Sequence, residues 1–139
     1  MKDLFWQEKG IEMSSGEDPQ AGSDDNNIVS VQDNKIYFYS EVSRPKILAL
    51  NKNIIRVGNS IKNRSQVLGA PDVPIELHIC SYGGSVFSGF SAVDYILNSS
   101  APVHSYIDGC AASAATIMSV VAEERFIHRH SFMLIHQLS

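Results

Sequence analysis

Two residues stand in settings suited to acyl transfer. Ser113 lies in a nest of small residues, Asp108-Gly109-Cys110-Ala111-Ala112-Ser113-Ala114-Ala115, and His136 closes the apolar run Phe132-Met133-Leu134-Ile135. A serine hydroxyl is a weak nucleophile at its free pKa and needs a base within hydrogen-bond reach, so a serine and a histidine, each tightly framed, point to nucleophilic catalysis. His128 and His130 flank Arg129 in a polar turn and read as solvated.

The elements around Ser113 follow from local pattern. Val103 to Ile107 reads as a short buried strand, Asp108-Gly109 as a turn, and Ala111 to Val121 as a helix. Ser113 is thereby expected at a strand-to-helix turn, where unpaired backbone N–H groups and the helix dipole can hold an oxyanion. Small neighbours let a substrate backbone come close. A second loop, Ser81-Tyr82-Gly83-Gly84-Ser85-Val86, follows a strand over Ile75 to Cys80 and precedes a helix with Val86, Phe90, Val93 and Leu97 on one face. Paired glycines leave N–H groups uncovered for an anion or an extended peptide. Neither G-x-x-x-x-G-K-[ST] nor G-x-G-x-x-G occurs.

Upstream, Ile28 to Val31 and Lys35 to Tyr39 read as strands. Ser43 caps a helix with Pro45 in its first turn and Ile47, Leu50, Ile54, Val57 and Ile61 along one face. Gly58 to Pro74 contains a polar loop. These 139 residues allow one domain with a modest core. Residues 1–27 carry two lysines against seven acidic residues, a net of −5, which leaves +1 of the total −4 for the body from 28 to 139. Ser14 to Asn27 has the composition of a disordered linker; ahead of it, Leu4, Phe5, Trp6, Ile11 and Met13 read as a solvated, functionless tail, with a short amphipathic or docking segment as the alternative. No concentrated basic stripe suggests nucleic acid, and no apolar run is long enough to span a bilayer. The N-terminus lacks a secretory leader pattern, and a cytoplasmic location is expected. Cys80 and Cys110 read as small buried hydrophobes, and nothing near Cys110 in sequence would activate its thiol.

Taken in order, S-Y-G-G-S-V, D-G-C-A-A-S-A and M-L-I-H-Q resemble the three motifs S-P-G-G-S-V, G-x-A-A-S-M and M-I-H-Q-P of ClpP, the proteolytic subunit of the Clp protease. The resemblance covers Lys35 to Gln137. It implies an α/β fold of the ClpP/crotonase type, with repeated β-β-α units and a mixed sheet. It implies Ser113 as nucleophile, His136 as general base, and the N–H groups of Gly84 and Ala114 as oxyanion hole. Gly83, Ser85, Val86 and Gln137 match the walls between which a substrate lies as an added strand. It further implies a ring of like subunits and an unfolded polypeptide substrate. Delivery falls to an AAA+ unfoldase of the ClpX or ClpA/ClpC type, and that partner consumes the ATP. The proteolytic chain itself calls for no cofactor and no metal.

The match lacks the family's C-terminal part. No Asp or Glu follows His136, whereas the family places its third catalytic residue, an Asp, well downstream. The orienting carboxylate is then absent, supplied by another chain, or replaced upstream by Asp94 or Asp108; Asp94 reads as a helix-surface residue and Asp108 as serving its turn. In serine proteases, changing the triad Asp to Asn lowers kcat by about 10⁴ while a residual acceleration survives. Tyr82 and Leu138 replace family prolines beside the substrate groove. Two other readings keep the fold: a weak or inactive regulatory subunit that joins a ring, and a crotonase-like enzyme acting on thioester enolates.

Overall fold

A computed structural model describes residues 28–137; the acidic tail, its docking stretch and Leu138 lie outside the described residues. The chain runs β1 (Ile28–Gln32), β2 (Lys35–Tyr39), α1 (Arg44–Leu68), β3 (Ile75–Ser81), α2 (Val86–Leu97), β4 (Val103–Ala112), α3 (Ala114–Val120), β5 (Glu124–Ile127) and β6 (Phe132–Leu134). The strands form one mixed sheet in the order β1-β2-β3-β4-β5, with β6 also on β4. β1 and β2 form an antiparallel hairpin, and every other pairing is parallel.

Alternation explains which face is covered. Ile36 and Phe38, Leu77 and Ile79, and Val103 and Ile107 project to one side, where Leu50 and Ile54 of α1 and Met118 of α3 complete the core. The opposite side carries Tyr37, Tyr39, Glu76, His78, His104, Tyr106 and Asp108.

Four local expectations are corrected. First, α1 runs to Leu68, past the apolar stripe, and stops at Gly69 in a left-handed cap (φ 62°) that donates its N–H to Ser65 O. The polar loop expected within Gly58 to Pro74 is confined to the residues after Leu68, because Asn59 to Leu68 contains no helix breaker. Second, β4 passes straight through Asp108-Gly109. Gly109 takes φ 84° without ending the strand, and the register with β3 shifts between Ile79 and Ser81, as at a β-bulge. The following helix starts at Ala114, not Ala111, because Ala111 and Ala112 still pair with β6. Third, α2 buries Ser88, Gly89, Ala92 and Ile96, while Phe90 and Leu97 are exposed. Small residues win this face because α2 packs tightly on α3: a Cβ on Gly89 would lie 2.9 Å from Ile117 Cδ1 and 3.3 Å from Ala114 O. Fourth, the apolar run before His136, whose composition reads as a buried strand, is not buried. Phe132, Leu134 and Ile135 are 55%, 51% and 76% exposed, since β6 pairs only with β4 and no described element covers it.

Candidate active site

Ser113 sits at the carboxyl end of β4, directly before α3, with φ 55° and ψ −124°. A positive φ on a residue with a Cβ costs about 1–3 kcal/mol and persists only where neighbours over-determine it. Here they do: Ser113 N–H donates to Leu134 O (2.9 Å), and its carbonyl accepts from Thr116 N–H (3.0 Å) and Thr116 Oγ1 (2.6 Å). The backbone is fixed at both ends, while the hydroxyl has no hydrogen-bond partner among the described residues. The serine side chain is half-buried on a sharp strand-to-helix turn.

The glycine loop packs directly on that turn. A Cβ on Gly83 (φ 101°) would lie 2.7 Å from Ala112 O, 2.8 Å from Ser113 Cβ and 3.2 Å from Ala114 N. Only glycine fits between the loop and the serine. Gly84 (φ 147°) bridges Val42, and a Cβ there would run into the Val42 carbonyl. Val42 N–H donates to Gly83 O and Ser85 N–H to Val42 O, each at 2.8 Å. Ser85 Oγ in turn caps α2 by accepting from Ser88 N–H at 3.2 Å. The polar backbone of Gly83 and the N–H and hydroxyl of Ser85 are thus used internally. The N–H groups of Gly84, Val86 and Ala114 donate to nothing within the described residues. Val86 is half-buried against the core.

β6 brings His136 to the same end of the sheet, two residues beyond the Ala112–Leu134 pair. No hydrogen bond joins His136 to Ser113 in the described residues. His136 Nδ1 lies 2.9 Å from the carbonyl oxygen of Gln137. A carbonyl can only accept, so Nδ1 is the donor in this contact and Nε2 is left facing away from it. Cys110 is buried and Cys80 half-buried, both as free thiols. Burial pushes the Cys110 thiol up, against thiolate formation. A cavity of about 340 Å³ between α1 and α2, lined by Ile54, Ile55, Asp94 and Tyr95 among others, lies away from Ser113.

A second cluster of polar side chains lies on the sheet face that no described helix covers. Asp108 serves no turn: its carboxylate accepts from Tyr39 Oη (2.6 Å) and meets His78 Nδ1 (2.9 Å) and His128 Nε2 (2.9 Å). His128 is exposed, as expected of a polar turn, but it is paired through Asp108. Glu76 and His78 share a face of β3, and Tyr106 and Asp108 share a face of β4, which extends past the turn expected at Asp108. What the pattern lacked was the parallel register that puts the strands side by side.

A mixed sheet with a strained serine at the end of a parallel strand, facing a glycine loop, defines a ClpP/crotonase-type fold. ClpP1 from Listeria monocytogenes superposes with a TM-score of 0.65 at 23% identity, over 76% of this chain and 57% of that one. The ClpP protease catalytic domain from Plasmodium falciparum gives 0.65 at 20% identity, over 76% and 55%. A sequence model of the Clp protease family matches residues 31–139, and the chain belongs to that family. It is 40% identical over 74 residues to the ATP-dependent Clp protease proteolytic subunit 1 of Chlamydia caviae (52% of this chain, 39% of that one). It is 42% identical over 69 residues to the subunit of the same name from Protochlamydia amoebophila (48% and 34%). The matched stretch spans less than two fifths of each of these relatives. No helix among the described residues is long and apolar enough to cross a membrane.

Proposed function

We propose that the chain is a serine endopeptidase subunit of the Clp type, acting on unfolded polypeptides delivered by an AAA+ unfoldase that spends the ATP. The observation that carries this reading is the strained Ser113, whose hydroxyl has no partner among the described residues and whose turn packs against the glycine loop. The hydroxyl oxygen attacks the peptide carbonyl, and His136 Nε2 takes the hydroxyl proton and returns it to the leaving amine. The Gly84 and Ala114 N–H groups hold the tetrahedral oxyanion, a class of interaction worth about 10²–10³ in kcat per donor. The backbone carbonyl of Gln137 occupies the Nδ1 side of His136, where a triad carboxylate would otherwise hold the tautomer. A carbonyl orients the ring but stabilises the imidazolium less than a carboxylate does. With this carbonyl as the partner of Nδ1 among the described residues, Ser113 and His136 would act as a slow dyad. The exposed Ile127, Phe132, Leu134 and Ile135 support assembly with further subunits in a ring.

The missing Ser113–His136 bond favours a second reading, a weak or inactive subunit that joins a ring of complete subunits. Reaction of the purified chain with a fluorophosphonate probe, read by intact mass, separates the two. Stoichiometric labelling, abolished in Ser113→Ala and strongly slowed in His136→Ala, is expected of the peptidase. A folded chain that stays unlabelled, both alone and mixed with complete Clp proteolytic subunits, establishes the second reading instead.

A further inference from the structure

The side-chain cluster on the uncovered sheet face is built differently from a set of chance ion pairs. We propose that His78, Asp108 and His128 form a binding site for a borderline divalent metal ion such as Zn²⁺. One ligand atom from each of the three residues lies within 4.8 Å of the other two. Asp108 Oδ1 stands 3.1 Å from His78 Nδ1 and 2.9 Å from His128 Nε2, so a single carboxylate oxygen faces both imidazoles. Ligands held about 2.0–2.1 Å from a tetrahedral ion lie little more than 3 Å apart, so small adjustments admit the ion.

The contacts of His78 suit a metal-binding imidazole. Its Nε2 meets Glu76 Oε2 at 3.2 Å while its Nδ1 meets the Asp108 carboxylate. A neutral imidazole has one N–H and one lone pair, and a carboxylate can only accept. If Nε2–H donates to Glu76, the Nδ1 lone pair points at carboxylate oxygen, a contact that a cation between them turns from repulsive to attractive. Glu76 then acts as the outer carboxylate that fixes the tautomer and ring orientation of a metal-binding histidine. Tyr39 Oη, at 2.6 Å from Oδ2, holds the other half of Asp108 and leaves Oδ1 for the ion.

The site is also pre-organised and reachable. The His78 ring stacks between Tyr37 and Tyr106, with centroids 4.9 and 4.8 Å away, and its side chain is only 11% exposed. His128 is 60% exposed and supplies the open side through which an ion enters and a water completes the coordination. Two imidazoles and one carboxylate favour Zn²⁺, Co²⁺ or Ni²⁺ over Mg²⁺ or Ca²⁺, which prefer all-oxygen sites. A bound ion would tie β3 and β4 to the turn after β5, the turn that leads into β6 and His136.

The test uses the full chain, stripped with a chelator and titrated with Co²⁺, whose visible absorption reports coordination by nitrogen and oxygen. One equivalent is expected to bind saturably, to be displaced by Zn²⁺, and to raise the melting temperature. His128→Ala removes an exposed ligand without disturbing the core, and Asp108→Asn keeps the shape of the carboxylate; each should weaken binding at least about tenfold. His130→Ala and His136→Ala should leave the titration unchanged. The absence of saturable binding in the folded wild-type chain overturns the proposal. So does an affinity that His128→Ala and Asp108→Asn leave intact.

Discussion

The two faces of the sheet are held by different physics. Under the helices, Ile36, Phe38, Leu50, Ile54, Leu77, Ile79 and Met118 are excluded from water, and any well-shaped apolar set would serve there. On the open face, Tyr37, His78, Tyr106 and Phe126 stack rung by rung across β2, β3, β4 and β5, with successive centroids 4.9, 4.8 and 4.7 Å apart. Each rung is also a register pair: Tyr37 opposite His78, His78 opposite Tyr106, and Tyr106 opposite Phe126. The covered face supplies stability through area. The open face depends on which residue stands at which position, and it places Asp108 between two histidines.

This contrast makes unequal demands on substitution. Leu77 is fully buried on a central strand, so Leu77→Ala should cost about 2–5 kcal/mol, the usual range for a buried leucine with its residual cavity. Tyr106→Leu keeps an apolar side chain on the open face and loses two stacked pairs, each of a kind worth about 0.5–1.5 kcal/mol. Urea unfolding of both variants checks the order. A larger loss from Tyr106→Leu than from Leu77→Ala would place the main stabilising contacts on the wrong face of the sheet.

Ser113 is the point where the two demands meet, because its backbone is strained and its side chain is chemical. Ser113→Ala and Ser113→Gly both delete the hydroxyl, but only glycine relieves φ 55°. Ser113→Gly should therefore be about 1 kcal/mol more stable than Ser113→Ala, with both unlabelled by the fluorophosphonate. Equal stability of the two variants would mean that the turn carries no strain.

How far the sequence could be read follows the same division. Periods of two and of 3.6 located β2, β3, the start of α1 and the first half of β4, because those elements bury one face against the core. The order of three short motifs pointed to the family and to Ser113, Gly84, Ala114 and His136. The pattern failed where a residue's role depends on a partner distant in sequence. Gly109 looked like a turn but is a bulge inside β4, since pairing of Ala111 and Ala112 with β6 pulls the strand onward. Phe90 and Leu97 looked like core, yet the tight approach of α2 to α3 selects Gly89 and Ala92. The meeting of His78, Asp108 and His128 requires register across three strands, which no local window contains.

The smallest effect expected is alkaline, and it isolates the open face. Tyr39 and Tyr106 both project there. Burial chiefly pushes the Tyr39 hydroxyl up, with its hydrogen bond to Asp108 and the Asp108 charge adding to it. Burial also raises Tyr106, helped by the Glu76 and Glu124 charges. In both cases the folded protein holds the phenolic proton more tightly than the unfolded chain does. Their contribution is therefore complete below the ordinary tyrosine value of about 10 and is lost as the pH rises past it, because the unfolded state ionises first. In chelator, the urea midpoint should be insensitive to these groups near neutrality and fall above about pH 10. Tyr39→Phe should flatten that fall by removing one ionisable group, whereas Leu77→Ala should lower the whole curve without changing its slope there. An alkaline limb equally steep in wild type and Tyr39→Phe would show that the Tyr39–Asp108 bond does not hold the phenolic proton in the folded state.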